Sequence, residues 1–437
     1  MKSVKLSVDF EFCFSSFPIE FSELCFEVQR LRQEVGALLI QALLRKLEEY
    51  STENEIELMG ARRHDYRRRV FDTCLGKLNL KMLRVKPTGG KLRYALKNHI
   101  LFTRSRYTSD SLKSAISLLP HLSYRRSCTE SKSLVGAGPT KSTLHRRLKE
   151  MEASLDKHPN NKAEGYKYLF IDGTGVRLQD IVWVGTERTR TFESGELRMV
   201  YASKGLKEPA KVIGRWLSNT SWDEIAEETY KRINAKDIVQ LTTDGEDGIE
   251  AAFMRPWMRF QRCATHAWRS IKQVLYLDGL PKVERSNIQS QFYSIPVFHY
   301  ASKETLETLR PEDRDSVAKQ LNKSENDLME LKTMMDGKGY KKTSAYIENL
   351  SEPLLSFMRS WMKTGIANPT TNNIPENRFS LFKNRIRSIG KRWSETGILR
   401  IMDLIINKII PSYDWETFWD NLFPCRNRVK GYILAVR

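Results

Sequence analysis

The stretch KYLFIDGTGV, residues 167–176, decides the fold. Its apolar run Tyr168–Ile171 is aromatic and β-branched, lacks helical spacing, and closes on Asp172 followed at once by Gly173, which reads as a buried strand handing a carboxylate to a site at its end. A second segment repeats the device: IVQLTTDGEDG, residues 238–248, closes on Asp244 and Gly245. A third, NNIPENRFSLFKNRIR at 372–387, sets Glu376 at the start of a strongly basic stretch that reads as helix. Two strand-end carboxylates and one borne on a helix are what a protein needs to hold two divalent cations against a phosphodiester.

The elements between these motifs follow an order. ELRMVYAS (196–203) and KVIGRWL (211–217) read as further strands. SWDEIAEETYKRI is a helix opened by a capping box, Ser221 with Glu224 three residues on. RFQRCATHAWRSIKQVLY is a short strand running into a helix. Strand, meander, helix, strand, helix, strand is the order of an α/β, RNase H-like core: a mixed sheet flanked by helices, whose first and fourth strands lie side by side. Asp172 and Asp244 fall on those two strands. Lone Asp-Gly pairs more often shape turns, and the weight here comes from two of them at the expected places. Asp180, Glu246 and Asp247 are nearby carboxylates easily mistaken for ligands. Asp247 is better used at the N-terminus of the helix that follows.

Working outward, residues 163–278 form the first part of this core. Residues 279–362, helical and charged, interrupt it as an insertion, and 363–437 return to it with the Glu376 motif. Cys263 and His266 form a C-x-x-H pair after the last core strand. A zinc site would need two more ligands and no second pair offers them, so a structural role beside the site is favoured. Arg378, Lys383, Arg385, Arg387, Lys391 and Arg392 crowd the segment after Glu376, where a basic helix would lie along phosphates. Trp393 either stacks on an unpaired base or belongs to the core. Asn372 and Asn373 either position a phosphate or form a turn.

The N-terminal third is different. Residues 1–60 hold 6 Lys/Arg against 11 Asp/Glu, whereas 61–150 hold 22 against 5, so the middle block carries nearly all of the net +19. That imbalance points to a polyanionic partner, nucleic acid before an anionic membrane surface. Residues 20–50 show apolar positions at helical spacing (Leu24, Val28, Leu31, Val35, Leu38, Leu39, Leu43, Leu47), a helix for packing or self-association. LGKLNLKMLRVKPTGGKLRYALKN reads as a basic β-hairpin within 61–105, turning at Pro87–Gly90. Residues 106–150 hold three helix-sized segments, the last two separated by Gly136-Ala137-Gly138-Pro139. This matches a helix-turn-helix whose last helix shows Lys141, Ser142, Thr143, His145, Arg146 and Lys149.

The remaining counts set bounds. The 437 residues imply two to four domains. There is no run of about 18 apolar residues that would span a membrane and no signal-peptide layout. Six cysteines (Cys13, Cys25, Cys74, Cys128, Cys263, Cys425) without a CxxC pair fit free thiols in a reducing interior.

Together, IDGTGV, TTDG, RCATHAW and IPENRFSLFKNRIRSIGKRWSETGI resemble the prokaryotic Mutator-like insertion-sequence transposases, over roughly residues 60–410. The resemblance implies a DDE transposase with Asp172, Asp244 and Glu376 as catalytic metal ligands, two Mg²⁺ or Mn²⁺ ions per site, and Cys263/His266 as a structural signature. It implies binding of terminal inverted repeats and target DNA, hydrolysis at element ends, transfer of the 3′-hydroxyl, and a homodimer or higher oligomer on DNA in a prokaryotic cytoplasm. The rival readings are a metal-dependent endonuclease or resolvase without strand transfer, and a domesticated sequence-specific DNA-binding protein.

Overall fold

The computed structural model describes residues 21–53, 60–98, 106–150, 163–206, 208–372, 382–390 and 392–409, which divide into two compact units. Among them no helix is long and apolar enough to cross a membrane.

The first unit opens with helix α1 (Phe21–Ser51), followed by strands β1 (Arg62–Thr73), β2 (Gly76–Lys86) and the short β3 (Arg93–Tyr94) in an antiparallel sheet ordered β1-β2-β3. Phe71, Leu78, Leu80 and Met82 pack against Ala37, Ile40 and Leu44 of α1. The hairpin expected across Pro87–Gly90 is therefore corrected. The long hairpin pairs β1 with β2 around Cys74-Leu75, from Arg62↔Lys86 to Thr73↔Gly76. The Pro87–Gly90 turn leads only to a two-residue pairing of β2 with β3. The arginines of β1 stay in solvent over its first half while Phe71, Asp72 and Thr73 bury. Three helices follow on the expected spans: α2 (Ser109–Leu118), α3 (Tyr124–Val135) and α4 (Lys141–Glu150). Leu112, Ala115, Ile116, Leu144 and Leu148 are fully or almost fully buried. Gly136 ends α3 at φ 72°, a left-handed cap that a side chain would strain.

The second unit is a mixed α/β structure. Its five-stranded sheet runs β6-β5-β4-β7-β8, from β4 (Tyr168–Val184), β5 (Glu187–Ser203), β6 (Lys211–Leu217), β7 (Gln240–Thr243) and β8 (Arg259–Arg262). β4, β5 and β6 pair antiparallel, while β7 and β8 add in parallel on the other side of β4. One face is covered by α5 (Trp222–Arg232) and α6 (Ile249–Phe253), whose Trp222, Ile225, Ala226, Ile249 and Phe253 bury with Leu169, Ile171, Val200 and Leu241. α5 carries the expected capping box, with Ser221 and Glu224 bonded reciprocally.

The opposite face has a polar seam. Tyr168 Oη donates to Asn368 Oδ1 at 3.0 Å, Gln240 Nε2 to the Pro369 carbonyl at 2.6 Å, and Gln261 Nε2 to the Leu354 carbonyl at 3.2 Å. These bonds fasten the end of the helical region onto the sheet. That region comprises α7 (Ala264–Leu277), α8 (Lys282–Tyr293), α9 (Pro296–Tyr300), α10 (Lys303–Thr308), α11 (Arg314–Gly337) and α12 (Lys341–Thr364). Its core includes Ala264, Ala267, Ile271 and Leu275 of α7, so the helices of 279–362 are built onto the core helix rather than onto a core of their own. α13 (Glu395–Ile409) packs on β6, where Arg215 makes a two-pronged bond to Asp403.

β4 departs from expectation. It does not stop at Asp172 but runs on to Val184, paired with β5 without a break from Tyr168↔Ser203 to Val184↔Glu187. The strand expected at 196–203 is only the inner half of β5. The outer halves form a two-stranded arm, and Trp183 and Val184 near its tip are 66% and 65% exposed. Gly185, at φ 64°, makes the two-residue turn that closes it.

Candidate functional site

β4 and β7 pair in parallel through Ile171↔Thr243, the last pair of their ladder. Asp172, next along β4, and Asp244, the residue just after β7, follow that pair, so their backbone positions stand side by side where the ladder ends. Asp172 is 3% exposed, and its Oδ1 accepts from the Gly173 N–H at 2.9 Å. Asp244 is half-buried and accepts from the Glu246 N–H at 3.1 Å, while Thr243 Oγ1 takes the Gly245 N–H at 2.9 Å. Asp244 thus also shapes its own turn, the commoner use of an Asp-Gly pair.

Each following glycine makes room for a charged side chain. A Cβ on Gly173 would meet Glu196 Oε1 at 2.3 Å, and one on Gly245 would lie 0.4 Å from Arg262 Nη1. Glu196 therefore stands over Gly173, on the sheet face opposite the Asp172 side chain, and Arg262 stands over Gly245, the residue after Asp244. Neither was signalled by its own sequence context, because Glu196 reaches Gly173 across the β4/β5 ladder and Arg262 reaches Gly245 from β8. Arg198 links Glu196 at 3.1 Å to Glu246 at 2.8 Å and stacks on the Trp222 ring. Burial, then the neighbouring Glu196, pushes the Glu246 carboxyl above its ordinary value. Glu246 also accepts from Trp222 Nε1 at 3.1 Å, so it fastens α5 to the Asp244 loop. Asp247 is exposed just before α6, and Asp180 lies out on the arm, eight residues or roughly 26 Å of strand from Asp172.

Glu376 lies outside the described residues, as do Arg378, Lys391 and Asn373. The flanks of that segment are described, and both are tied to β4. On the N-terminal side, Asn372 Nδ2 donates to the Ile171 carbonyl at 2.9 Å. On the C-terminal side, Arg387 donates to Thr174 Oγ1 and the Gly175 carbonyl, each at 3.1 Å, and Trp393 bridges to Leu178. Asn372 lies in a turn, as one of its two readings had it, and is fully buried, which corrects the other, a phosphate contact.

Burial also corrects two of the residues expected on DNA. Arg385 is 1% and Trp393 7% exposed; the guanidinium stacks on the indole at 4.8 Å, and Trp393 Nε1 donates to the Ile386 and Gly390 carbonyls. An indole spent in this way belongs to the core. Arg387 and Arg392 are exposed, Arg392 lying 4.1 Å above the Phe192 ring, and Lys383 is half-buried in front of the π-helical turn Asn384–Ile389.

Cys263 is buried, outside any disulfide, at the start of α7, and His266 sits one turn on, half-buried. No group of three or more His, Cys, Asp or Glu able to hold a metal occurs among the described residues. In the first unit, Lys141, Ser142, His145, Arg146 and Lys149 are exposed on α4, opposite buried Leu144 and Leu148. Thr143 is half-buried, and Thr140 caps the helix by accepting its N–H at 3.3 Å.

No family model matches the chain, and no curated protein does. Among solved structures, the chain is similar to the Drosophila P element transposase strand transfer complex over 71% of its own length and 93% of that chain, at 13% identity and a TM-score of 0.37.

Proposed function

We propose that the chain is a DDE-type DNA transposase with an RNase H-like catalytic core. The observation that carries this reading is the parallel β4/β7 ladder ending at Ile171↔Thr243, which sets Asp172 and Asp244 together. Connectivity supports Glu376 as the third member. Four residues of chain from Asn372 reach at most about 14 Å, and Asn372 is bonded to the residue before Asp172.

The donor set fits the cations. Asp172 and Asp244 offer hard carboxylate oxygens, which Mg²⁺ and Mn²⁺ prefer, and the two ions need few protein ligands because they keep several waters. Asp172, Asp244 and Glu376 would hold two such ions, which when bound stabilise charge on the attacking and leaving oxygens of a phosphodiester. Arg262 beside Asp244 and Arg387 beside Thr174 supply positive charge on either side for the backbone of the scissile strand. The exposed basic residues of α4 and β1 serve recognition of the terminal inverted repeats, and transfer to target DNA requires two or more copies of the chain.

The test is incubation of the full chain with Mg²⁺ and labelled element ends, followed by separation of cleaved and joined products. Cleavage with strand joining is expected. Cleavage alone would assign the chain to the endonuclease reading, and binding without either product to the DNA-binding regulator.

A further inference from the structure

Backbone positions one residue before Asp172, one before Asp244 and four before Glu376 are linked through two buried residues, Cys263 and Asn372. Cys263 follows β8 directly. Its N–H donates to the Thr243 carbonyl at 2.8 Å, one residue before Asp244. Its Sγ accepts the Asn372 N–H at 3.2 Å, four residues before Glu376. Asn372 in turn donates from Nδ2 to the Ile171 carbonyl, one residue before Asp172. The neighbouring Ala264 N–H donates to the Thr370 carbonyl at 3.0 Å, so two successive residues of α7's start grip two positions of the incoming segment. Cys263 and Asn372 are each wholly buried. A buried backbone N–H must find an acceptor, and here the acceptor for residue 372 is sulfur, a weak one.

We infer that Cys263 and Asn372 form a positioning clip that holds residues 370–372, which lead into the Glu376 motif, against the strands of Asp172 and Asp244. The inference rests on the proposed cation site for its functional meaning, while the clip itself stands on the bonds. Neither residue touches a reacting atom. Their work is to keep the strand ends of Asp172 and Asp244 and the chain entering the Glu376 motif in register, and outer partners of this kind are worth tenfold or more in metal affinity. The same arrangement gives the Cys263 sulfur a structural use, as acceptor for Asn372. It also explains why a cysteine suits the site. Sulfur reaches farther from the backbone than a serine hydroxyl, and the residue remains small enough to bury between β7 and the 370–372 segment.

The experiment uses the full chain, metal-free, in two measurements. Mn²⁺ binding is followed by electron paramagnetic resonance, and amide hydrogen exchange is followed over residues 370–376. Cys263→Ala is expected to weaken Mn²⁺ binding about tenfold and to speed exchange across 370–376, with protection of β4 and β7 unchanged. Cys263→Ser recovers part of both, and the Cys263→Ala/Asn372→Ala double variant is no weaker than either single, as for two halves of one device. Should Cys263→Ala not fold, Asn372→Ala carries the same two measurements. Parent-like Mn²⁺ affinity together with parent-like exchange would overturn the clip. The cation reading fails separately, if the parent binds Mn²⁺ no more tightly than Asp172→Ala. Exchange over 370–376 then decides the clip by itself: faster exchange upholds it and unchanged exchange removes it.

Discussion

Asp172 and Asp244 differ in burial although they sit at equivalent places on neighbouring strands, Asp172 almost closed off and Asp244 half open. Substitution of either by Ala, or of Glu376 by Ala, is expected to lower cleavage on the order of 10⁴-fold, as losing a catalytic group does, while binding to element ends persists. Parent-level cutting by any of the three would remove it from the site. A second residue-scale expectation concerns Glu48, whose Oε1 accepts the Leu83 N–H at 2.9 Å beneath the first sheet. Burial raises its carboxyl above the ordinary 4.5. The folded state therefore favours the protonated form, and stability drops as pH rises from the unfolded value through the raised folded one. Glu48→Gln keeps the acceptor without the charge. It is expected to melt higher than the parent at pH 7 and equally near pH 3; a gap that stays constant with pH would refute the assignment. At this scale the sequence made Asp172 and Asp244 legible, because apolar runs ending in Asp-Gly are local. Glu196, Arg262 and the Asn372 bond were not, since each arrives from a distant element.

Among the elements, α13 is held on β6 by the Arg215–Asp403 pair, the carboxylate 8% and the guanidinium 16% exposed. Removing the carboxylate takes both prongs of a charge-assisted bond from a largely buried guanidinium, which costs about 1.5–3 kcal/mol. Asp403→Ala is expected to lose that much in denaturant unfolding of the second unit, and a loss below about 1 kcal/mol would place the pair in effectively solvated surroundings. Two strands escaped sequence reading for physical reasons. β1 carries arginines on both faces (Arg62, Arg63, Arg67, Arg68, Arg69), which hides the period of two that marks a strand. The outer half of β4 was hidden by Gly173 and Gly175, which look like a strand's end although Gly173 here makes room for Glu196. The signal that reveals the arm is IVWV-GT-ERTRTF: two β-rich runs with a two-residue Gly-containing turn. Helices fared better, because α2, α3, α4 and α5 carry their periodicity and caps within a dozen residues.

Across the whole molecule, positive charge is concentrated rather than spread, with 22 Lys/Arg against 5 Asp/Glu in 61–150. Binding to element ends should therefore weaken steeply with salt, log K falling by about 0.9 per phosphate contacted for each decade. Arg146→Ala is expected to shrink that slope by about one contact and to weaken binding to the ends more than it slows reaction on pre-nicked DNA. Equal binding by variant and parent at matched salt would take α4 out of the interface.

The β4/β5 arm has a mechanical consequence. Asp172 lies in the interior of a continuous strand, with no loop or hinge between it and Val184 twelve residues, or about 40 Å, away. A loop would absorb a push at its tip within its own soft dihedrals. A paired ribbon passes the load along its ladder, so that whatever grips Trp183 leans on the carboxylate's own backbone. The arm is a tiller, and Asp172 stands at its pivot.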